Sequence, residues 1–127
     1  YAFARADDYL GDLYGAMDAF GLASAHEGFG LVVAEALLCG VPVVATNVGC
    51  VPEVLRDRVN GLIVAACPDA FAAAATLLRD HPAWARGLAA EGQAFAQQRL
   101  LASRMAREYE DLLARLWQAR VDKGTRR

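Results

Sequence analysis

The amino-acid sequence predicts an α/β fold in which helices flank a short parallel β-sheet. Continuous apolar runs of strand length alternate with longer segments whose apolar residues recur at helical spacing. Such runs are typical of parallel strands covered on both faces, because a half-exposed strand would alternate apolar and polar residues. The 127 residues, 56% apolar and 22% charged, are enough for one domain with a buried core.

The first part of the chain alternates strands with helices. Leu10, Leu13, Tyr14 and Met17 recur at the spacing of one helix face, and Gly40 is a typical residue to end the following helix. The predicted segments are a short strand at 1–5, a helix at 8–17, a strand at 18–24, a helix at 31–39 and a strand at 41–46.

The second part continues this alternation. Asn60 and Gly61 form a tight-turn dipeptide, and Pro68 and Pro82 are typical first residues of helices. The predicted segments are a loop at 47–52, a helical turn at 52–56, a strand at 62–65 and helices at 70–79, from 82 onward and at 102–119. A doubly wound sheet normally has about six strands, so three or four strands predict a partial Rossmann-like sheet.

Composition excludes several classes of protein. The formal net charge of -2, with acidic residues mixed among the arginines, argues against a nucleic-acid partner. Cys39, Cys50 and Cys67 are odd in number and lack paired spacing, which is typical of a reducing compartment. Residues 1–10 are charged where a signal peptide would be apolar. These observations predict a cytoplasmic protein without a thiolate metal site.

One predicted helix combines apolar residues with a single acidic one. The segment 31–39 is apolar on every side except at Glu35, which predicts a helix enclosed by the domain. A buried carboxylate without partners would cost several kcal/mol, so Glu35 requires hydrogen-bond donors. Two interpretations remain open: Arg56, Arg58 or backbone amides satisfy Glu35 within the domain, or the hydroxyl groups of a ligand do.

The loop before this helix predicts an anion site. Gly28 and Gly30 allow the backbone to approach a ligand, and the first-turn amides of the helix favour a phosphate. Glu35 lies roughly 7 Å further along the helix, which suits the separation of a nucleotide's outer phosphate from its ribose hydroxyls. A carboxylate can accept from both of these hydroxyls, and Glu27 can similarly accept from a sugar.

The motifs in this region resemble those of a known enzyme family. Residues 24–31 (SAHEGFGL), Glu35 and residues 39–46 (CGVPVVAT) resemble the E-x7-E signature of the family 4 (group 1) retaining glycosyltransferases. The resemblance spans about residues 8–80 and implies part of the C-terminal domain of a GT-B fold, in which two Rossmann-like domains face each other.

The resemblance continues downstream with two departures. Gly49 with residues 51–53 (VPE) resembles the family's Gly-Gly-x-x-Glu loop, and residues 60–64 (NGLIV) resemble its following turn and strand. Cys50 stands where the family usually has its second glycine, and Ala23 replaces a frequent proline. Cys50 therefore either restricts the backbone or places a small side chain beside the donor loop.

The resemblance implies a role for each matching residue. Glu27 contacts the donor sugar and is assigned as catalytic, Glu35 binds ribose, and Glu53 matches a supporting position. The donor loop and the first helical turn hold the diphosphate and the sugar; these donor-binding residues are Gly28, Phe29, Gly30, Leu31 and Val32. A core-packing role for the Phe29 ring remains open.

The implied reaction is transfer of a glycosyl unit from a nucleoside diphosphate sugar to an acceptor hydroxyl with retention. No cofactor and no metal are expected, because backbone amides and a helix terminus meet the charge on the departing diphosphate. Residues 1–100 then form the C-terminal part of the nucleotide-sugar-binding domain, and residues 101–127 form a C-terminal helix and basic tail. The family's phosphate-binding arginine and lysine lie upstream, so the isolated chain is expected to be inactive.

The expected partners are the nucleotide-sugar donor and a glycan, lipid or small-molecule acceptor bound through the N-terminal domain, with no nucleic acid. Peripheral attachment of the parent enzyme to a membrane is left open. Two alternatives also remain: a GT-B-type nucleotide-sugar epimerase, which would share the nucleotide site, and a non-enzymatic Rossmann-like binding module.

The last predicted helix has an apolar stripe on one face. The stripe consists of Met105, Tyr109, Leu112, Leu113, Leu116 and Trp117. In GT-B enzymes the final helix often crosses back to the N-terminal domain, so in the isolated chain this stripe lacks that packing surface. We expect the isolated chain to form a homodimer that covers it.

Overall fold

A computed structural model describes residues 6–124. Within this range, helices and strands follow one another in the predicted order. The elements are α1 (Ala6–Gly15), β1 (Phe20–Leu22), α2 (Leu31–Leu38), β2 (Val43–Thr46), α3 (Val51–Val54), β3 (Leu62–Val64), α4 (Pro68–Asp80), α5 (Pro82–Arg99) and α6 (Ala102–Gly124). The strand predicted at 1–5 lies outside the described residues.

The three strands form one parallel sheet in the order β1-β2-β3. Phe20 of β1 aligns with Val43 of β2, and Val44 of β2 aligns with Leu62 of β3. The sheet is parallel because the segments between β1 and β2 and between β2 and β3 each return the chain to the same edge. The carboxyl ends of β1 and β2 therefore lie side by side.

Helices cover both faces of the sheet, as the continuous apolar strands predicted. Val43 and Ala45 of β2 face one buried cluster, which is closed by α1, α2, α3 and the end of α5. Val44 faces a second cluster, formed with β3, α4 and the first turns of α5. The predicted α/β layer architecture is therefore confirmed for residues 6–124.

The strands are shorter than predicted and the last helix is longer. β1 has three residues where residues 18–24 were predicted, and β2 begins only after Pro42, whose nitrogen has no hydrogen to donate to a strand partner. The Pro42 carbonyl still accepts from the Phe20 amide at 2.9 Å. α6 extends beyond the predicted end at 119 to Gly124.

The turn before β3 differs in detail from the predicted Asn-Gly turn. The left-handed residue is Arg58, with φ of 60°. The buried Asn60 side chain bonds the Arg56 amide at 2.6 Å and the Val54 carbonyl at 3.0 Å. Gly61 packs closely against its neighbours, because a Cβ there would lie 2.8 Å from Leu55 Cδ2 and 3.1 Å from the Val43 carbonyl oxygen.

The long helix α6 leaves its apolar stripe exposed. Trp117 and Leu113 are 68% and 62% exposed, and the other stripe residues are also solvent-accessible. Among residues 6–124, no helix has both the length and the hydropathy that crossing a membrane requires.

Candidate functional site

The predicted site residues lie at the carboxyl edge of the sheet. The loops 23–30 and 47–50 follow β1 and β2, and parallel strands place these loops next to each other. Thr46 at the end of β2 links them, because its hydroxyl donates to the Ser24 carbonyl at 2.7 Å. Open α/β sheets usually bind their ligands at this edge.

Helix α2 begins at this edge with an uncapped amino terminus. Gly30 is the N-cap residue, with φ of 67° and ψ of 50°, and no side chain within residues 6–124 bonds its amides as a cap. The Val33 amide donates to the Gly30 carbonyl at 2.9 Å, whereas the first amides of an α-helix have no intrahelical acceptor. Together with the helix dipole, the amides of Leu31 and Val32 can bind an anion.

Glu27 lies in the loop immediately before this helix. Its side chain is half-buried, and the Ser24 hydroxyl donates to its Oε1 atom at 3.3 Å. The neighbouring His26 is exposed. Glu27 therefore has one carboxylate oxygen held by the protein and remains accessible from the solvent side.

The loop after β2 packs directly against the backbone of the Glu27 loop. Gly49 has φ of 54°, and a Cβ at this position would lie 2.6 Å from the Glu27 carbonyl oxygen and 2.8 Å from that of Gly28. The thiol of the buried Cys50 donates to the Phe29 carbonyl. The two loops therefore hold each other in place.

The Cys50 side chain thus fits between the two loops and does not restrict the backbone, whereas Gly49 is the residue at which no side chain fits. Burial raises the pKa of the Cys50 thiol, and the nearby carboxylates of Glu53 and Glu27 raise it further. The thiol therefore stays protonated and can act as a donor. Cys39 and Cys67 are exposed, and all three cysteines are free.

Glu35 is held by a residue that the sequence did not indicate. The hydroxyl of Tyr14 on α1 donates to Glu35 Oε2 at 3.0 Å. The internal partners considered from the sequence, Arg56 and Arg58, are both exposed, and Arg58 lies 3.8 Å from Asp57 instead. The predicted arginine partners were wrong, because α1 brings a neutral hydroxyl from 21 positions away. A donor within the domain does hold one oxygen of Glu35, as the first of the two interpretations required.

Helix α2 is not enclosed on all sides, contrary to the sequence prediction. Leu31 is 63% exposed and Val32 is 37% exposed, because the first turn lies at the edge of the sheet. Phe29 is 54% exposed, so its alternative role in the core is also wrong. Glu35 is only half-buried, and it lies on the same helix as this exposed apolar start.

A cavity of about 710 Å³ lies at the opposite, amino edge of the sheet and does not include either glutamate. It lies beside residues that precede β1 and β2, and it contacts the end of α4 and the start of α5. The carboxyl edge instead presents an open surface. Where side chains are described, at residues 9–121, no group of three or more His, Cys, Asp and Glu is placed to hold a metal ion.

Comparison with known families gives an independent assignment. Residues 2–93 match the family described as glycosyl transferases group 1. The D-inositol 3-phosphate glycosyltransferase of Rhodococcus opacus is 39% identical over 94 residues, which are 73% of this chain and 21% of that protein. The chain therefore spans about a fifth of the length of this curated relative.

Solved structures of enzymes and nucleotide-bound proteins share the fold of this chain. The sucrose-phosphate synthase of Thermosynechococcus elongatus matches 87% of this chain and 28% of its own, with a TM-score of 0.82 and 33% identity. Anabaena Alr3699/HepE was solved with UDP and with UDP-glucose, and gives TM-scores of 0.78 and 0.74 at 30% identity. These matches cover 80% of this chain and 29% of the Anabaena chain.

Proposed function

The chain belongs to the group 1 glycosyl transferases, and from this premise we propose that it forms part of the donor site of a retaining family 4 enzyme. Its E-x7-E signature consists of Glu27 and Glu35. The reaction is transfer of a glycosyl unit from a nucleoside diphosphate sugar to an acceptor hydroxyl. Because the chain spans about a fifth of the Rhodococcus relative, the proposal concerns the full-length enzyme.

One observation supports this proposal above all: three polar groups follow one another along the chain, from the loop after β1 into α2. They are the Glu27 carboxylate, the uncapped start of α2 and the Glu35 carboxylate. A nucleoside diphosphate sugar presents complementary groups in the same order, namely sugar hydroxyls, phosphates and ribose hydroxyls. We assign the phosphates to the amides of the Gly28–Val32 segment, the ribose to Glu35 and the transferred sugar to Glu27.

The proposed chemistry depends on the charge of the leaving group. The bond between the anomeric carbon and the phosphate oxygen breaks, and its electron pair leaves with the diphosphate. The acceptor oxygen forms a bond to the same face of the anomeric carbon, and its proton passes to the leaving phosphate. Preorganised amides and the terminus of α2 would stabilise the developing negative charge. No metal is assigned a role, so a chelator should leave the activity unchanged.

The same proposal makes the chain alone inactive. The Glu27 loop and the first turn of α2 are exposed to water, and amides stabilise developing charge far better in a water-excluded site. We therefore assign the acceptor, a glycan, lipid or small-molecule hydroxyl, to residues outside the range 6–124. Assay of the 127-residue chain beside the full-length enzyme tests this assignment, and turnover by the chain alone would contradict it.

We also propose that the isolated chain forms a homodimer through the α6 stripe. The stripe residues are each 43% to 68% exposed, and a contiguous exposed apolar patch on a helix marks a surface that associates with another protein surface. Light scattering at high concentration tests this, and a monomeric mass would refute it.

The free, exposed thiols of Cys39 and Cys67 support a reducing, cytoplasmic location.

A thermal-shift panel on the full-length enzyme tests the donor site. We expect one of the UDP-, GDP- or ADP-sugars to stabilise the enzyme by about 2.7 kcal/mol at a concentration of 100 times its dissociation constant. Glu35→Ala should abolish this shift. Glu91→Ala, which removes an exposed carboxylate on α5, should preserve it. The absence of any shift in the wild type, or a full shift in Glu35→Ala, would overturn the proposed donor site.

Product analysis separates the transferase from an epimerase with the same nucleotide site. A transferase needs the acceptor and yields a glycosylated acceptor with the anomeric configuration of the donor. An epimerase would convert the nucleotide sugar without an acceptor. Formation of an inverted glycoside would contradict retention while leaving the donor site intact.

A further inference from the structure

Tyr14 lies outside the motif, yet it contacts the carboxylate at the centre of the proposed site. Its side chain is 4% exposed, and its ring packs against Phe20 with ring centroids 5.8 Å apart. The hydroxyl lies 3.0 Å from Glu35 Oε2 and 3.3 Å from the Val32 carbonyl. A phenol has one proton to donate, and the shorter contact to a charged acceptor is the stronger one.

We propose that Tyr14 is a positioning residue for nucleotide recognition, whose hydroxyl fixes Glu35 Oε2 and leaves Oε1 to accept from the ribose hydroxyls. This inference rests on the proposed function of Glu35. Fixing a flexible glutamate side chain in one conformation costs rotamer entropy. Without Tyr14, ligand binding would have to offset that cost. A carboxylate held before the nucleotide arrives avoids that cost.

The chemistry of the Tyr14 hydroxyl favours positioning of the Glu35 carboxylate over neutralisation of its charge. Among the side chains of residues 9–121, Tyr14 donates the only hydrogen bond to the Glu35 carboxylate, and no cation forms an ion pair with it. An arginine would take up both oxygens in a bidentate pair and would compete with a diol. A neutral hydroxyl occupies one oxygen and leaves the carboxylate its full negative charge.

The protonation state of Tyr14 suits this role. Burial, the hydrogen bond to Glu35 and the charge of Glu35 raise the pKa of Tyr14 to about 12. The phenol is therefore a proton donor throughout the neutral range. Packing alone does not account for the hydroxyl, because a phenylalanine ring would fill the same space against Phe20.

The test compares UDP with 2′,3′-dideoxy-UDP on the full-length enzyme by calorimetry. The wild type should bind UDP more tightly than the analogue, because only UDP offers hydroxyls to Glu35. Tyr14→Phe should reduce this preference about fivefold, which corresponds to about 1 kcal/mol. Tyr9→Phe removes a hydroxyl from an exposed tyrosine on the same helix and should leave the preference unchanged.

The ratio of the two affinities stays informative even if Tyr14→Phe lowers stability, because both nucleotides report on the same folded fraction. A purely structural role would weaken both nucleotides equally and would overturn the inference. If Glu35→Ala abolishes the preference and Tyr14→Phe preserves it, the inference about Tyr14 fails and the proposed function stands. If the wild type shows no preference with UDP, GDP or ADP and their dideoxy analogues, the proposed role of Glu35 fails.

Discussion

Replacement of Gly49 by alanine should damage the candidate site more than any other glycine substitution in its loops. The backbone of Gly49 has φ of 54°, a left-handed conformation that costs an L residue about 1–2 kcal/mol. The added Cβ would lie 2.6 Å and 2.8 Å from the carbonyl oxygens of Glu27 and Gly28. These neighbours are backbone atoms that cannot rotate away, so overpacking adds about 1–3 kcal/mol.

The expected loss for Gly49→Ala is therefore about 2–5 kcal/mol, as the sum of these two costs. Urea unfolding of the 127-residue chain, followed by far-ultraviolet circular dichroism, measures it. Calorimetry on the full-length enzyme should also show weaker nucleotide binding, because the Glu27 loop must shift. Gly87→Ala is the control, since a Cβ on this exposed residue of α5 meets nothing within 4 Å. It should stabilise the helix by up to about 1 kcal/mol. A loss below about 1 kcal/mol for Gly49→Ala would refute the steric reasoning.

Substitutions at three further positions separate the roles of the site and of α6. Gly28→Ala should fold normally, because a Cβ there meets nothing within 4 Å. It should weaken nucleotide affinity, because the proposed ligand approaches this backbone. Unchanged affinity would remove Gly28 from the site. Cys50→Ala should lower the free energy of unfolding by about 0.5–1.5 kcal/mol, because the Phe29 carbonyl loses its donor. Cys50→Ser should restore most of that loss. Equal losses in both variants would show that the hydrogen bond is unimportant. Leu116→Glu, on the exposed stripe, should give a monomer in light scattering that keeps the helical circular dichroism of the wild type. A persistent dimer would place the interface elsewhere.

Sequence alone determined the features that depend on local pattern. Continuous apolar runs such as the one containing Val43 and Val44 predicted parallel strands, and the observed sheet confirms them. Gly40 was predicted to end its helix, and it follows the last residues of α2 with φ of 70°. Helical periodicity, strand runs and glycine stops are encoded within a few neighbouring residues, so they can be read without coordinates.

Only the tertiary structure decided which groups touch the site and which side chains face water. The periodicity of α1 placed Tyr14 on an apolar face, and the packing of α1 against α2 then set its hydroxyl on Glu35. The same holds for Gly49 and the Glu27 loop, which meet because β1 and β2 are neighbours in the sheet. An apolar residue such as Leu31 gives no sequence signal of exposure, because its burial depends on how far the helix extends beyond the sheet edge. Contacts between segments distant in the chain follow from the packing of whole elements, which no short stretch of sequence specifies.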